Sequence, residues 1–280
     1  MRLQSTHRNR LVGALALVTA LAVAPSAQEP TAAEARRLLL DETLDLYVRD
    51  GFVYYRALKS DRSRLDRFVG GLGTSAIDSA PRDEQMAFWL NAYNALVLRT
   101  VIDHYPIVPR SRDYPQRSIR QIPGAFERLP HRVAGRTVTL DQIEQTILPA
   151  FRDPRLFLAL GRGAVGSGRL RSEAFGAGAL ERQLTEAANE CASRAQCLHI
   201  DRGANKVRIS SIFSWRQSDF ASAYAERAGE AFGARSPLER AVIAFVSPRL
   251  LVNELELLAK NDFKVEYLPF DWTLNDLAGR

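Results

Sequence analysis

The residues that invite chemistry gather around one glycine-rich stretch. Gly161, Gly163 and Gly166 fit G-x-G-x-x-G, the turn that presents helix amides to a pyrophosphate when it follows a strand and opens a helix. The apolar run 156–160 predicts the strand, but Ser167, Gly168, Gly176 and Gly178 interrupt the helix that should follow, and no βαβ order surrounds the unit. A tight loop that needs glycine dihedrals is the plainer reading, and no cofactor is expected. Ser167 sits among those glycines as a nucleophile on a sharp turn would. Val165 and Arg169, however, stand where G-x-S-x-G requires glycine. A serine-dependent hydrolase or acyltransferase would use Ser167 with a histidine base. Of His104, His131 and His199, His104 is the first candidate, and amides of the glycine loop would then serve as oxyanion donors.

Cys191 and Cys197 are the two cysteines of the chain. An even pair in an exported protein oxidises, and a disulfide here would close a small loop at a helix end, worth about 2 kcal/mol by chain entropy. That leaves no thiolate for a thiol enzyme. Zinc would need a fourth ligand beside Cys191, Cys197 and His199, and the spacing is not that of a finger, so no metal is expected. The carboxylate pairs Asp141 and Glu144, Glu254 and Glu256, and Asp271 and Asp276 read equally as helix starts or solvated faces. Polar groups in apolar context say more. Asn91 and Asn94, three apart in FWLNAYNALVL, share one helix face. They either bond loop backbone and fix the fold or line a pocket. Asp271 and Trp272 in YLPFDWTLND carry the same two readings.

Helices must position most of these groups. Residues 31–48 place Leu38, Leu39, Leu44, Leu46 and Val48 on roughly one face, with Thr31 as cap and Gly51 as stop. Residues 52–55 are β-like in composition, and 63–72 read as a short helix. The strongest helix is 82–104, with acids in its first turn, a dense apolar middle and Pro106 beyond its end; so apolar a helix belongs at the centre. Residues 107–130 lack a period and predict a long loop. HRVAGRTVTLDQIEQTIL predicts a hairpin around Gly135 and a helix capped near Thr139, 178–195 a helix ending at the cysteines, and LHIDRGANKVRIS a second hairpin. Helices over 212–220, 237–245 and 248–260 and a last strand in FKVEYLPF complete the chain. No repeat, low-complexity tract or linker divides it. Residues 28–280 therefore predict a single α+β domain, helix-rich with a small, mostly antiparallel sheet.

An apolar content of 46% over 280 residues supplies a sizeable core. Arg2, Arg8 and Arg10 lead into an apolar stretch over 11–24 and then small residues to Ala27, the order of a cleavable signal peptide over 1–27. That stretch is shorter than the ~20 residues that span a bilayer. The mature chain is expected to be secreted or periplasmic, without a membrane span. Three of the six net positive charges are the signal arginines, which leaves +3. Only four of 38 basic residues are lysines and no basic run interleaves with aromatics, so nucleic acid is not an expected partner.

The ordered series FWLNAYNALVL, IDHYP, TLDQIEQTIL, DPRLFLAL, LRSEAF, IFSWRQSDF and YLPFDWTLND resembles, over about residues 45–276, the bacterial and plant family known as DUF547. The resemblance implies a distant relation to papain-like or transglutaminase-like thiol enzymes. Laid over the family pattern H-F-A-L-x-C-x-x-x-S-C-P-P-L-R, Phe157 stands at the histidine, Arg162 at the first cysteine and Ser167 at the second. Gly168 and Arg169 replace the prolines, whereas Leu158, Ala159, Leu160, Leu170, Arg171 and Glu173 keep the frame. The resemblance thus implies either a degenerate thiol site or a structural cysteine pair lost in this branch. The leading expectation is a binding or accessory protein for a small molecule or an envelope protein. Its pocket would lie between the 82–104 helix, the 161–168 loop and the segment of Asp271 and Trp272, with Asn91, Asn94, Arg171 and Glu173 as further candidates. The competing expectation is the hydrolase that pairs Ser167 with His104.

Overall fold

Thr31 caps the first helix as its sequence position predicts: its hydroxyl accepts from the Glu34 N–H at 3.2 Å, and α1 runs Ala32–Tyr47. The computed structural model describes Met1 and residues 31–279, so the signal-peptide expectation falls on residues 2–27, outside the described residues. β1 (Val48–Arg49) and β2 (Phe52–Val53) pair antiparallel about Asp50 and Gly51, both left-handed at φ 47° and 82°. Gly51 therefore turns a small hairpin instead of stopping the helix. Tyr55, expected in an extended segment, opens α2 (Tyr55–Ser60), and α3 (Ser63–Leu72) follows as predicted.

α4 (Arg82–His104) is the central helix, buried almost without break from Met86 to Ile102. β3 (His131–Val133) and β4 (Arg136–Val138) form the expected hairpin, and Thr139 and Gln142 form a reciprocal capping box that starts α5 (Leu140–Gln142), prolonged by the wider turns of Ile143–Ile147. α6 (Leu180–Ser193), β5 (Leu198–Asp201), β6 (Lys206–Ser210), α7 (Ser211–Trp215), α8 (Gln217–Tyr224), α9 (Pro237–Val246), α10 (Val252–Lys260) and β7 (Lys264–Leu268) complete the fold. From Thr31 onward these elements make one compact unit. The α+β, helix-rich class stands. The largest sheet has three strands in the order β5-β6-β7, antiparallel in its first pair and parallel in its second.

One expected strand is a helix. Residues 156–160 lie largely in the 3-10 turns of Pro154–Leu158, capped where Asp153 Oδ1 accepts from the Arg155 N–H at 3.1 Å. Pro154 at the first helical position and the Asp153 cap favour that turn, and a short buried apolar run has no period with which to oppose them. Among the described residues no helix is long and apolar enough to cross a membrane.

His131 heads β3 half-buried, with Nε2 shielded from solvent and unbonded. Burial first, then the Arg99 guanidinium, holds its pKa below the ordinary 6.5, against the pull of Asp103. The unfolded chain thus takes up this proton at a higher pH than the folded one. The stability contributed by neutral His131 is complete above about pH 6.5 and is lost as pH falls below that value. Urea midpoints of wild type should drop more steeply than those of His131→Gln between about pH 7 and pH 5.

Candidate functional site

α4 holds the irregular chain 159–175 through its two asparagines. Asn91 Oδ1 accepts from the Phe175 N–H at 2.8 Å while Asn91 Nδ2 donates to the Phe175 carbonyl at 2.8 Å. One turn later Asn94 Oδ1 accepts from the Gly161 N–H at 2.8 Å and Nδ2 donates to the Ala159 carbonyl at 3.3 Å. Both side chains are buried. With both ends of each amide on backbone, the two asparagines fix the loop and offer no polar group to a pocket.

The loop itself answers the phosphate and oxyanion expectations. The Arg162 N–H donates to Ser167 Oγ at 3.0 Å, Val165 N–H to the Thr273 carbonyl at 2.8 Å, Gly166 N–H to the Asp271 carbonyl at 2.9 Å, and Ser167 N–H to the Ala164 carbonyl at 3.1 Å. Together with Gly161, these are amides an anion would need, and the chain already occupies them. No helix opens behind Gly166. The glycines are required by close backbone contact instead: a Cβ on Gly168 would stand 1.6 Å from the Leu158 carbonyl oxygen, and one on Gly166 2.7 Å from the Asp271 nitrogen.

Ser167 is half-buried, its hydroxyl accepting from Arg162, whereas His104 is exposed at the end of α4 with Nδ1 2.8 Å from the Thr100 carbonyl oxygen. Each has another partner, and the structure shows no hydrogen bond joining them. The three positions at which the resemblance puts a histidine and two cysteines do meet, around Arg162. Its buried guanidinium donates from Nη2 to Glu144 Oε1 at 2.6 Å, from Nε to both Glu144 oxygens at 3.2 and 3.1 Å, and from Nη1 to the Phe157 carbonyl at 3.2 Å. Tyr93 donates to Glu144 Oε2 at 2.9 Å. Burial alone would raise the Glu144 carboxyl, but the Arg162 charge and these hydrogen bonds bring it below its ordinary value.

Arg171 is ion-paired with Glu173 and, at 2.6 Å, with Glu186 of α6, so two expected pocket residues hold the chain against that helix. Cys191 and Cys197 form the expected disulfide. Ala195 and Gln196 inside its loop wall an open cleft of about 130 Å³, with Gly166, Ser210, Leu268, Phe270 and Asp271 on the other sides. The cleft lies between the glycine loop and the Asp271 segment, and α4 contributes no lining residue to it. Trp272 packs beneath it, its ring centroid 4.5 Å from Phe270 and 6.2 Å from Trp215, with the Arg120 guanidinium 4.4 Å above its ring. Trp215 is 45% exposed and 4.8 Å from Phe270.

The family model described as "Protein of unknown function, DUF547" matches residues 77–191. This segment is a DUF547 domain. It takes in α4, the glycine loop and α6 as far as Cys191, less than half of the chain. The DUF547 segment therefore gives the cleft its Gly166 edge, and later residues give Gln196, Ser210, Phe270 and Asp271. No curated protein and no solved structure matches the chain significantly.

Sequence reasoning passed over Glu144 as a helix-start acid and did not pair it with Arg162. Trp215 and Phe270 entered only inside quoted motifs, since a tryptophan following Ile212 and Phe213 carries no signal of exposure. Removing the charge of Arg162 with Arg162→Met strands a buried carboxylate and should cost about 3–5 kcal/mol in urea unfolding, part of which Glu144→Gln restores in the double variant. Asn91→Leu, which leaves the Phe175 N–H and carbonyl unpaired, should cost about 3 kcal/mol in the same measurement.

Proposed function

We propose that this chain is an exported binding or accessory protein, a single domain from about residue 28 onward, that takes its ligand in the cleft between the glycine loop, the disulfide loop and the Phe270 and Asp271 segment. The observation that carries the reading is the inward turn of Arg162. At the position where the resemblance implies a reactive thiol, a guanidinium is locked to Glu144, while Gly166 edges an open cleft beside half-buried Phe270 and exposed Trp215. The two cysteines are joined to each other and neither titrates as a thiol. Export is supported by the order of residues over 1–27 and by the disulfide.

The cleft is smaller than the ~300 Å³ of a common small-molecule site. It suits a single inserted group whose remainder lies along the surface, as a side chain of a larger partner does. A hydrolase built on Ser167 lacks the support of a bonded base, because His104 bonds Thr100 instead. Tryptophan emission titrated with peptides, oligosaccharides and fatty acids should respond saturably to one class. Trp215→Leu should lose that response and Ser167→Ala should keep it. Covalent labelling of wild type, but not of Ser167→Ala, by a fluorophosphonate would overturn the reading in favour of the enzyme.

A further inference from the structure

The chain repeatedly holds its own arginines between an aromatic face and a carboxylate. Arg120 lies 4.5 Å over Phe126 and 4.4 Å over Trp272 and is ion-paired with Glu127. Arg216 lies 4.0 Å over Phe157 and 2.7 Å from Asp219. Arg235 lies 3.9 Å over Phe263 and 3.4 Å from Glu239. In each case the ring quadrupole and the carboxylate attract the same flat cation, which is less strongly hydrated than an ammonium.

A fourth set of the same parts stands at the cleft, without its arginine. Phe270 and Asp271 line the opening, and Trp215 extends the aromatic wall outward, its ring centroid 4.8 Å from Phe270. Among the described residues no cation lies over the Trp215 or Phe270 ring and none is ion-paired with Asp271, which is exposed and uses Oδ1 to accept from the Thr273 N–H at 2.9 Å. Arg120 stands over the adjoining Trp272 ring and is ion-paired with Glu127, and Arg169 and Arg194 line the neighbouring hollow past Gly166 and Gln196. Arg169 is held 3.1 Å from Asp50 and 2.8 Å from Glu190, and Arg194 is held 3.7 Å from Asp50. Each of these charges is answered by a carboxylate other than Asp271. The walls from Leu268 and Pro269 are apolar, which suits the methylene stem of a long side chain.

We infer that the cleft receives the guanidinium of an arginine from a partner polypeptide, stacked on Trp215 and Phe270 and paired with Asp271. The inference rests on the binding reading above and names its ligand class. The test uses a capped Gly-Arg-Gly peptide and its citrulline counterpart, which has nearly the same shape without the charge, and follows the indole N–H resonances of Trp89, Trp215 and Trp272. The arginine peptide should shift Trp215 and Trp272 saturably and leave buried Trp89 unmoved. Asp271→Asn, which keeps the bond to Thr273, should weaken that response about tenfold, since a charge-assisted pair is lost. Equal binding of the citrulline peptide overturns the guanidinium assignment and leaves the cleft as a binding site. No shift with either peptide also overturns it, while the ligand classes titrated above continue to test the cleft itself. Free agmatine binding more tightly than the peptide overturns the polypeptide source.

Discussion

A stretch of chain largely buried without helix or sheet must find partners for the N–H and carbonyl groups it carries, and residues 159–175 face that demand beside the central helix of this domain. α4 meets it with two side-chain amides that imitate a neighbouring strand. Asn91 grips both polar groups of Phe175, and Asn94 bridges Ala159 and Gly161. Everything the loop does later depends on where those grips place it. Arg162 is delivered to Glu144, Gly168 is pressed against Leu158, and Gly166 is placed at the edge of the cleft.

The same placement explains how the space around Arg162 is filled. Phe157, Arg162 and Ser167 converge as the resemblance implies three reactive positions would, yet the contacts among them are those of an ion pair and a loop-closing serine. Tyr93 completes the satisfaction of Glu144, so the buried charges leave few hydrogen-bonding directions open. The polar interior is thus closed on itself, and the rings and the carboxylate at the cleft come from beyond the DUF547 segment.

Much of the fold was legible because its elements carry period and punctuation. The 82–104 helix, the 63–72 helix, the capping box at Thr139 and both main hairpins follow directly from spacing, caps and turn residues. The run at 156–160 was illegible, since five buried apolar residues carry no period and Asp153 with Pro154 decides the outcome locally. Parallel pairing of β7 with β6 was also hidden, because strand composition does not encode direction. At the site, the glycine loop and the Asp271 segment were legible from composition, and so was the disulfide. The asparagines announced that they had partners without naming them. Trp215 as an exposed ring was not legible, because a tryptophan following Ile212 and Phe213 reads as core until α7 turns it outward.

The segment that carries Asp271 and Trp272 runs on as a strap across distant parts of the chain. Val165 donates to Thr273, Leu274 to Arg117, Asn275 to Gly163 and Val53 to Asn275. Below it Asn275 accepts from the Tyr55 hydroxyl at 2.7 Å, and Asp276 accepts from the Tyr105 hydroxyl at 2.8 Å. These contacts join pieces far apart in sequence, so the entropy of closing long loops must be met before any of them forms. Helices such as α3 and α4 can be assembled early from local contacts, but the cleft exists only after the strap has crossed them. The cleft thus depends on contacts between pieces far apart in the chain, and loosening the strap at any one of them would remove a wall of the cleft without unwinding a helix.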